Sequence, residues 1–173
     1  MKRHIAKAVR QIQGYPHYAR IGKRTRELAE SIGYEPHNLA YLTLALCRTR
    51  IDEDNCYNDA LATLGDSVLK MVLSEHFYLK GFDKSDITDA KRELENNAYL
   101  KKMAYERGWF RYLYNQYGFF GEVAGHHQVN VGGKHPTCIE AIIGAIYLDR
   151  KLLYVRKWIY TQFGLKGEGK CNL

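Results

Sequence analysis

The chain has 173 residues, enough for one domain with a sizeable core, and its 46% hydrophobic and 26% charged residues are ordinary for a globular protein. No apolar run is long enough to cross a bilayer, and no hydrophobic N-terminal stretch resembles a secretory signal. The four cysteines (Cys47, Cys56, Cys138, Cys171) form no C-x-x-C pair, so they read as reduced thiols of a cytoplasmic protein rather than a disulfide framework.

The net charge of +7 is unevenly placed. Residues 1–26 hold eight basic side chains (Lys2, Arg3, Lys7, Arg10, Arg20, Lys23, Arg24, Arg26) and no acidic one, leaving 18 basic and 19 acidic residues in the rest. Such an arm suits a polyanion, because each phosphate neutralised releases a counterion. Ile5, Val9 and Ile12 share one helical face, so the arm also suits simple docking through an apolar stripe. The chain divides into a basic arm (1–26), a folded body (27–165) and a short Gly/Lys tail (166–173).

Helical periodicity is common and strand signals are scarce, which predicts an all-α fold. A helix over 24–32 stops at Gly33, and a second over 37–46 turns Leu39, Leu42, Ala45 and Leu46 inward. Asn58 suits the cap of a long helix to Leu79, with Leu61, Leu64, Val68 and Val72 as its stripe and Gly81 as its stop. Another helix starts near Ser85 or Asp86 and carries Leu94, Ala98 and Leu100 inward. Residues 115–135 contain five glycines and read as a long exposed loop. Pro136 opens a strongly apolar helix, and a last helix covers 153–163.

Three segments in this order resemble the ribonuclease III family. "ELAESIGYEPHNLAYLTLAL" is similar to its opening helix, Gly-Tyr turn and second helix; "NDALATLGDSVLKMVLSEHFY" to its signature helix; "IEAIIGAIYLD" to its closing helix. The intervening "ITDAKRELENNAYLKKMA" suits its central helix. The resemblance covers about residues 27–163 and implies that family's helical endonuclease fold.

It also implies an activity: Mg²⁺-dependent hydrolysis of phosphodiester bonds in double-stranded or structured RNA, with Mn²⁺ able to substitute. A divalent ion activates water and neutralises charge growing on the phosphate, and carboxylates suit it as ligands. Carried over by position, the metal-binding and catalytic acids are Asp66 and Glu140. The family's other two carboxylate positions hold Ala62 and Thr137 instead. Mini-ribonuclease III proteins share both replacements, so the pattern resembles a group that cuts double-stranded RNA. A catalytically degenerate RNA-binding or assembly module is the alternative.

Asp59, Thr137 and Asn97 are candidates for RNA contact or for orienting a ligand, although Asp59 equally suits the helix dipole. Lys2, Arg3, Lys7, Arg10, Arg20, Lys23 and Arg24 are the candidate RNA-binding arm. Glu95 stands where the family usually has an apolar residue, and reads as an ordinary exposed helical glutamate rather than a restored ligand. His126, His127, His135 and Cys138 match no standard tetrahedral zinc spacing. The sequence reads as the nuclease domain alone, without a double-stranded-RNA-binding module. The resemblance further implies a homodimer with the signature helix at its two-fold interface.

Overall fold

The computed structural model describes residues 2–51, 56–129 and 138–165. Seven helices appear among them: α1 (Lys2–Gln13), α2 (Tyr18–Ser31), α3 (Leu39–Ala45), α4 (Asp59–Leu79), α5 (Lys84–Glu95), α6 (Asn97–Glu106) and α7 (Cys138–Phe163). The described residues contain isolated bridges but no strand, as the all-α expectation requires.

The centre of the molecule is the crossing of α4 and α7. Leu61, Val68, Leu69, Val72 and Leu73 of α4 are buried, as are Ile139, Ile142, Ile143 and Ile146 of α7. The α4 stripe is therefore largely covered within the chain. Leu64 stays partly exposed, lining an apolar cavity of about 480 Å³ with Ile5, Leu44, Tyr57 and Ala60.

The basic arm is built into the fold. Ala8 and Ile12 of α1 are buried, with Ile5 packed against the core. Helix α2 begins earlier than expected and runs through residues 26 and 27, so the arm and body meet inside one helix. Asn58 stands at the start of α4, but its side chain does not cap it. It is wholly buried instead, donating Nδ2 to the Ala45 carbonyl at 3.1 Å and accepting from Arg48 at 2.9 Å.

The helix expected to start near Ser85 or Asp86 and to carry Leu94, Ala98 and Leu100 breaks at Asn96, whose extended backbone ends α5. Its Oδ1 accepts from Tyr99 N (2.8 Å) and so starts α6. The break turns Ala98 out to solvent, contrary to expectation, while Leu100 is buried. The loop expected over 115–135 is exposed through most of residues 121–128, but its first part is folded in. Asn115 accepts from the amides of Tyr117 and Gly118 and donates to the His127 carbonyl, and Phe119 is wholly buried. Residues 130–137, including Pro136, and the 166–173 tail lie outside the described residues.

Asp149 joins distant parts of the fold. Its carboxylate accepts from Tyr34 Oη (2.6 Å), His37 N (2.7 Å) and Asn38 N (2.9 Å), fixing the α2–α3 turn to α7. Two residues later the α7 ladder is broken at Lys151 (φ 69°, ψ 178°). Only glycine adopts that region without strain, at a cost to other residues on the order of 1–3 kcal/mol. Replacing Lys151 by Gly should raise stability by about 1 kcal/mol in chemical denaturation, after the larger unfolded-state entropy of glycine is subtracted. A loss of stability on that substitution would show that the bend is unstrained.

Candidate active site

The two proposed acids meet because two glycines let their helices touch backbone to backbone. A Cβ at Gly65 would lie 1.7 Å from the Glu140 carbonyl oxygen, and one at Gly144 would lie 2.2 Å from the Leu61 carbonyl oxygen. Asp66 is the next residue after Gly65, and Glu140 sits in the first turn of α7 one helical turn before Gly144. The crossing thus brings one carboxylate from each helix to a shared edge.

Their surroundings differ. Glu140 is 7% exposed, and its carboxylate makes no hydrogen bond or ion pair among the described residues. Burial first, and the negative charge of Asp66 second, push its pKa up to about 7, with Lys70 opposing them. Asp66 is part-exposed and accepts from Lys70 Nζ at 2.7 Å, an (i, i+4) pair on α4. Such exposed pairs contribute only about 0.5 kcal/mol, so another cation can displace the ammonium cheaply.

Glu95 is not the exposed glutamate expected from the sequence. It is partly buried at the end of α5, and its Oε2 is fully buried with no hydrogen-bond partner. Its charge acts on Lys70 together with those of Asp66 and Glu140. No group of three or more His, Cys, Asp or Glu residues among the described ones is arranged to hold a metal ion. Two carboxylates nevertheless suit Mg²⁺, which retains several waters and commonly takes one or two protein carboxylates together with substrate phosphate. The unpaired, buried Glu140 carboxylate is the feature that fits a cation. Ala62 is 2% exposed, so packed apolar surface fills the place of one missing acid.

The other candidates are spread more widely. Asp59 is committed to the fold: it pairs with Arg48 at 2.8 Å and accepts from Cys56 N, so its role beside Asn58 is structural. Asn97 is the exposed first residue of α6, and Thr137 lies outside the described residues. In the arm, Arg20 and Arg24 both pair with Glu122 (2.9 and 2.6 Å), and Arg24 lies over the Phe119 ring at 4.1 Å. Their charges are thus spent on holding α2 to the 115–129 segment. Lys7, Arg10 and Lys23 are exposed or partly exposed and form no ion pair among the described residues; the side chains of Lys2 and Arg3 lie outside them. The rings of His126 and His127 lie 4.1 Å apart at a tilt of 54°, with Tyr117 against His127, and Cys138 is buried at the start of α7. His135 lies outside the described residues.

Residues 59–151, more than half the chain, match the Ribonuclease III domain family. The chain is 32% identical over 149 residues to Ribonuclease 3 of Shewanella putrefaciens (strain CN-32 / ATCC BAA-453), covering 82% of this chain and 61% of that one. It is 29% identical over 145 residues to Ribonuclease 3 of Coxiella burnetii (strain CbuK_Q154), covering 80% and 58%. It therefore spans about three fifths of the length of the curated relatives it matches. Its fold matches the nuclease domain of ribonuclease III from Campylobacter jejuni, with TM-score 0.61 and 24% identity over 80% of this chain and 97% of that one. That structure was described for flexibility in a region involved in dimer formation. This chain belongs to the ribonuclease III domain family.

Proposed function

We propose that the chain is a divalent-metal-dependent endoribonuclease that hydrolyses double-stranded or structured RNA in the cytoplasm, with Asp66 and Glu140 as its metal-binding acids. The observation that carries this reading is the buried Glu140 carboxylate, left without a partner beside Asp66 at the glycine crossing of α4 and α7. Mg²⁺, or Mn²⁺ in its place, would supply an activated water and neutralise charge on the phosphate. Asp66 and Glu140 would hold that ion, and the rigid crossing fixes the line between them. Ala62 and Thr137 supply no carboxylate, so the site holds its ion more weakly than a four-acid relative does.

Purified protein incubated with long double-stranded RNA should cut it with Mg²⁺ and not without, and Asp66→Asn should lose the cutting. Half-saturation should need more Mg²⁺ than in a four-carboxylate relative; equal affinity would remove the two-acid reading of the site. A second reading, a non-catalytic RNA-binding or assembly module, is favoured by one observation: Lys70 already occupies Asp66. RNA retained in a gel shift without cleavage across a broad Mg²⁺ and Mn²⁺ range is the result that would support it.

In this proposal residues 27–165 form the nuclease body and residues 1–26 assist RNA binding. The arm is tested best by charge removal, because deletion would strip Ala8 and Ile12 from the core. Neutralising Lys7, Arg10 and Lys23 together should weaken RNA binding and flatten its dependence on salt. The log–log slope should fall by roughly 0.7–0.9 for each phosphate that is no longer neutralised. An unchanged salt slope would exclude these three as phosphate ligands. A homodimer is part of the same reading, and the apolar cavity beside Leu64 lies on the helix expected at its interface. Among the described residues no helix is long and apolar enough to cross a membrane.

A further inference from the structure

Helix α4 carries a single Lys or Arg in its 21 residues, and that residue stands at the edge where the two acids meet. Lys70 lies one turn after Asp66 and donates Nζ to Asp66 Oδ2 at 2.7 Å. Its neighbours on the exposed face of α4 bring no competing charge. Thr63, Ser67 and Met71 are neutral, and the two hydroxyls bond back to the Asp59 and Thr63 carbonyls of their own helix. An anion approaching Asp66 from solvent along α4 therefore meets one cation of that helix, Lys70.

The edge is open on this side and closed on the other. The Lys70 side chain is 47% exposed and that of Asp66 31%, whereas Glu140 is buried. The ammonium does not shut the site to a divalent ion, because a carboxylate accepts on both oxygens. Lys70 uses Oδ2, and Asp66 Oδ1 makes no hydrogen bond or ion pair among the described residues. Oδ1 and the unpartnered Glu140 carboxylate thus remain for the ion. An ammonium has three donors, and Asp66 accepts the one hydrogen bond that Lys70 Nζ makes among the described residues. Two donors are left for a ligand arriving from solvent.

Phosphodiester chemistry gives those donors a use. Hydrolysis builds negative charge on the non-bridging oxygens, and donors fixed in advance toward them lower the barrier. With Ala62 and Thr137 in place of acids, Asp66 and Glu140 suffice for one ion with its waters. An ammonium beside that ion adds positive charge that needs no further carboxylate ligands.

We propose that Lys70 is a catalytic residue of this site: held on Asp66 Oδ2, its ammonium donates to a non-bridging oxygen of the phosphodiester being cut and neutralises the charge that grows there. No bond forms to the lysine, and it keeps its protons throughout. The proposal rests on the reading of the chain as an endoribonuclease with Asp66 and Glu140 as metal ligands. The pair with Asp66 gains a purpose in it, since it steadies a flexible four-carbon stem and aims the ammonium before RNA arrives.

The test compares wild type, Lys70→Met and Lys70→Arg in the full chain. Mg²⁺ binding is measured by calorimetry without RNA, and cutting of long double-stranded RNA at saturating Mg²⁺ over a range of RNA concentrations. Lys70→Met should lower kcat about 100-fold, the size expected for losing one donor to a developing anion. KM should stay nearly unchanged, as for an interaction made only in the transition state. Mg²⁺ binding should be as tight as in wild type or tighter, because both acids are kept and a like charge is lost. Lys70→Arg should be markedly faster than Lys70→Met, because it restores the charge and its donors. Lys70→Met cutting at the wild-type rate would overturn the proposal and leave the endonuclease reading intact. A rise in KM alone would overturn it by placing Lys70 outside the chemistry. Loss of cutting together with Mg²⁺ binding would do the same, since Lys70 would then act by shaping Asp66, and so would a Lys70→Arg protein as slow as Lys70→Met. A wild type that binds Mg²⁺ and never cuts refutes the endonuclease reading, one that binds no Mg²⁺ refutes the metal site, and the role of Lys70 falls with either.

Discussion

Gly65→Ala should unfold the protein or come close to it. The added Cβ would lie 1.7 Å from the Glu140 carbonyl oxygen, 2.6 Å from its carbon and 2.8 Å from Gly144 N. All three are backbone atoms of a helix, so no side-chain rotation relieves the clash. The helices must separate by more than about an ångström, which uncouples the central packing of the fold. A destabilisation of about 4 kcal/mol or more is expected, against a total of about 5–15 kcal/mol for a domain of ordinary stability. The thermal midpoint should fall by about 10 °C or more. Gly22→Ala is the matched control: it lies inside α2, where a new Cβ meets only Arg26 Nη2 at 3.8 Å, and should stabilise by about 0.5–1 kcal/mol. A Gly65→Ala protein melting within a few degrees of wild type would show that α4 and α7 do not cross as described.

Glu140→Gln should abolish cleavage and, in metal-free protein at alkaline pH, make the fold more stable. The first effect is expected at about 100-fold or more, since the variant removes one of the two acids proposed to hold the ion. The second follows from burial. The folded-state pKa of Glu140 is raised from 4.5 to about 7, so the folded protein resists its ionisation. Wild-type stability is free of this penalty below about pH 4.5, loses ground as the pH rises towards 7, and carries the full cost above it. After solvent screening that cost is on the order of 1–2 kcal/mol, which the neutral amide avoids. Denaturation at about pH 8 should therefore favour the variant, denaturation at about pH 5 should show a much smaller gap, and saturating Mg²⁺ should favour the wild type. A residue that weakens the fold to serve a cation behaves this way. If Glu140→Gln were less stable than wild type under alkaline, metal-free conditions, the carboxylate would have a structural partner and the site reading would fail.

The glycines explain why the site is legible in sequence to the extent that it is. Leu-Gly-Asp and Ile-Gly-Ala place small residues at fixed offsets from Asp66 and Glu140, where the two helices cross. The long periodic segments α4 and α7 are likewise readable, because their apolar positions repeat with the helical turn. What the sequence conceals are decisions made by single side chains in three dimensions. Asn58 suits a cap by type, yet a buried carbonyl at Ala45 and the guanidinium of Arg48 claim its amide. Asn96 sits within a continuous helical pattern, and the start it gives to α6 prevails over the periodicity. Five glycines in 115–135 suggest an open loop, but one buried phenylalanine and one asparagine turn fold its first part onto α2. Arg20 and Arg24 resemble RNA ligands by charge alone, and a single glutamate 98 or more residues away engages both. Glu95 is hidden in sequence because a lone helical glutamate is usually solvated, whereas here its Oε2 is fully buried.

The bend at Lys151 bears on how force travels through the molecule. An unbroken helix from Cys138 to Phe163 would be a rod of 26 residues, about 39 Å long, with Glu140 near one end. Any tug on its far end would act as a lever on the acid. The broken ladder divides that rod into two arms anchored separately: the first by α4 through Gly144, the second by Trp158, whose indole donates to the Ile32 carbonyl at 2.9 Å. Strain applied to the second arm meets its anchor on Ile32, at the end of α2, as well as the bend, before it reaches the edge carrying the two acids proposed to hold the metal. The acids can thus keep their register while the surface around them is pulled.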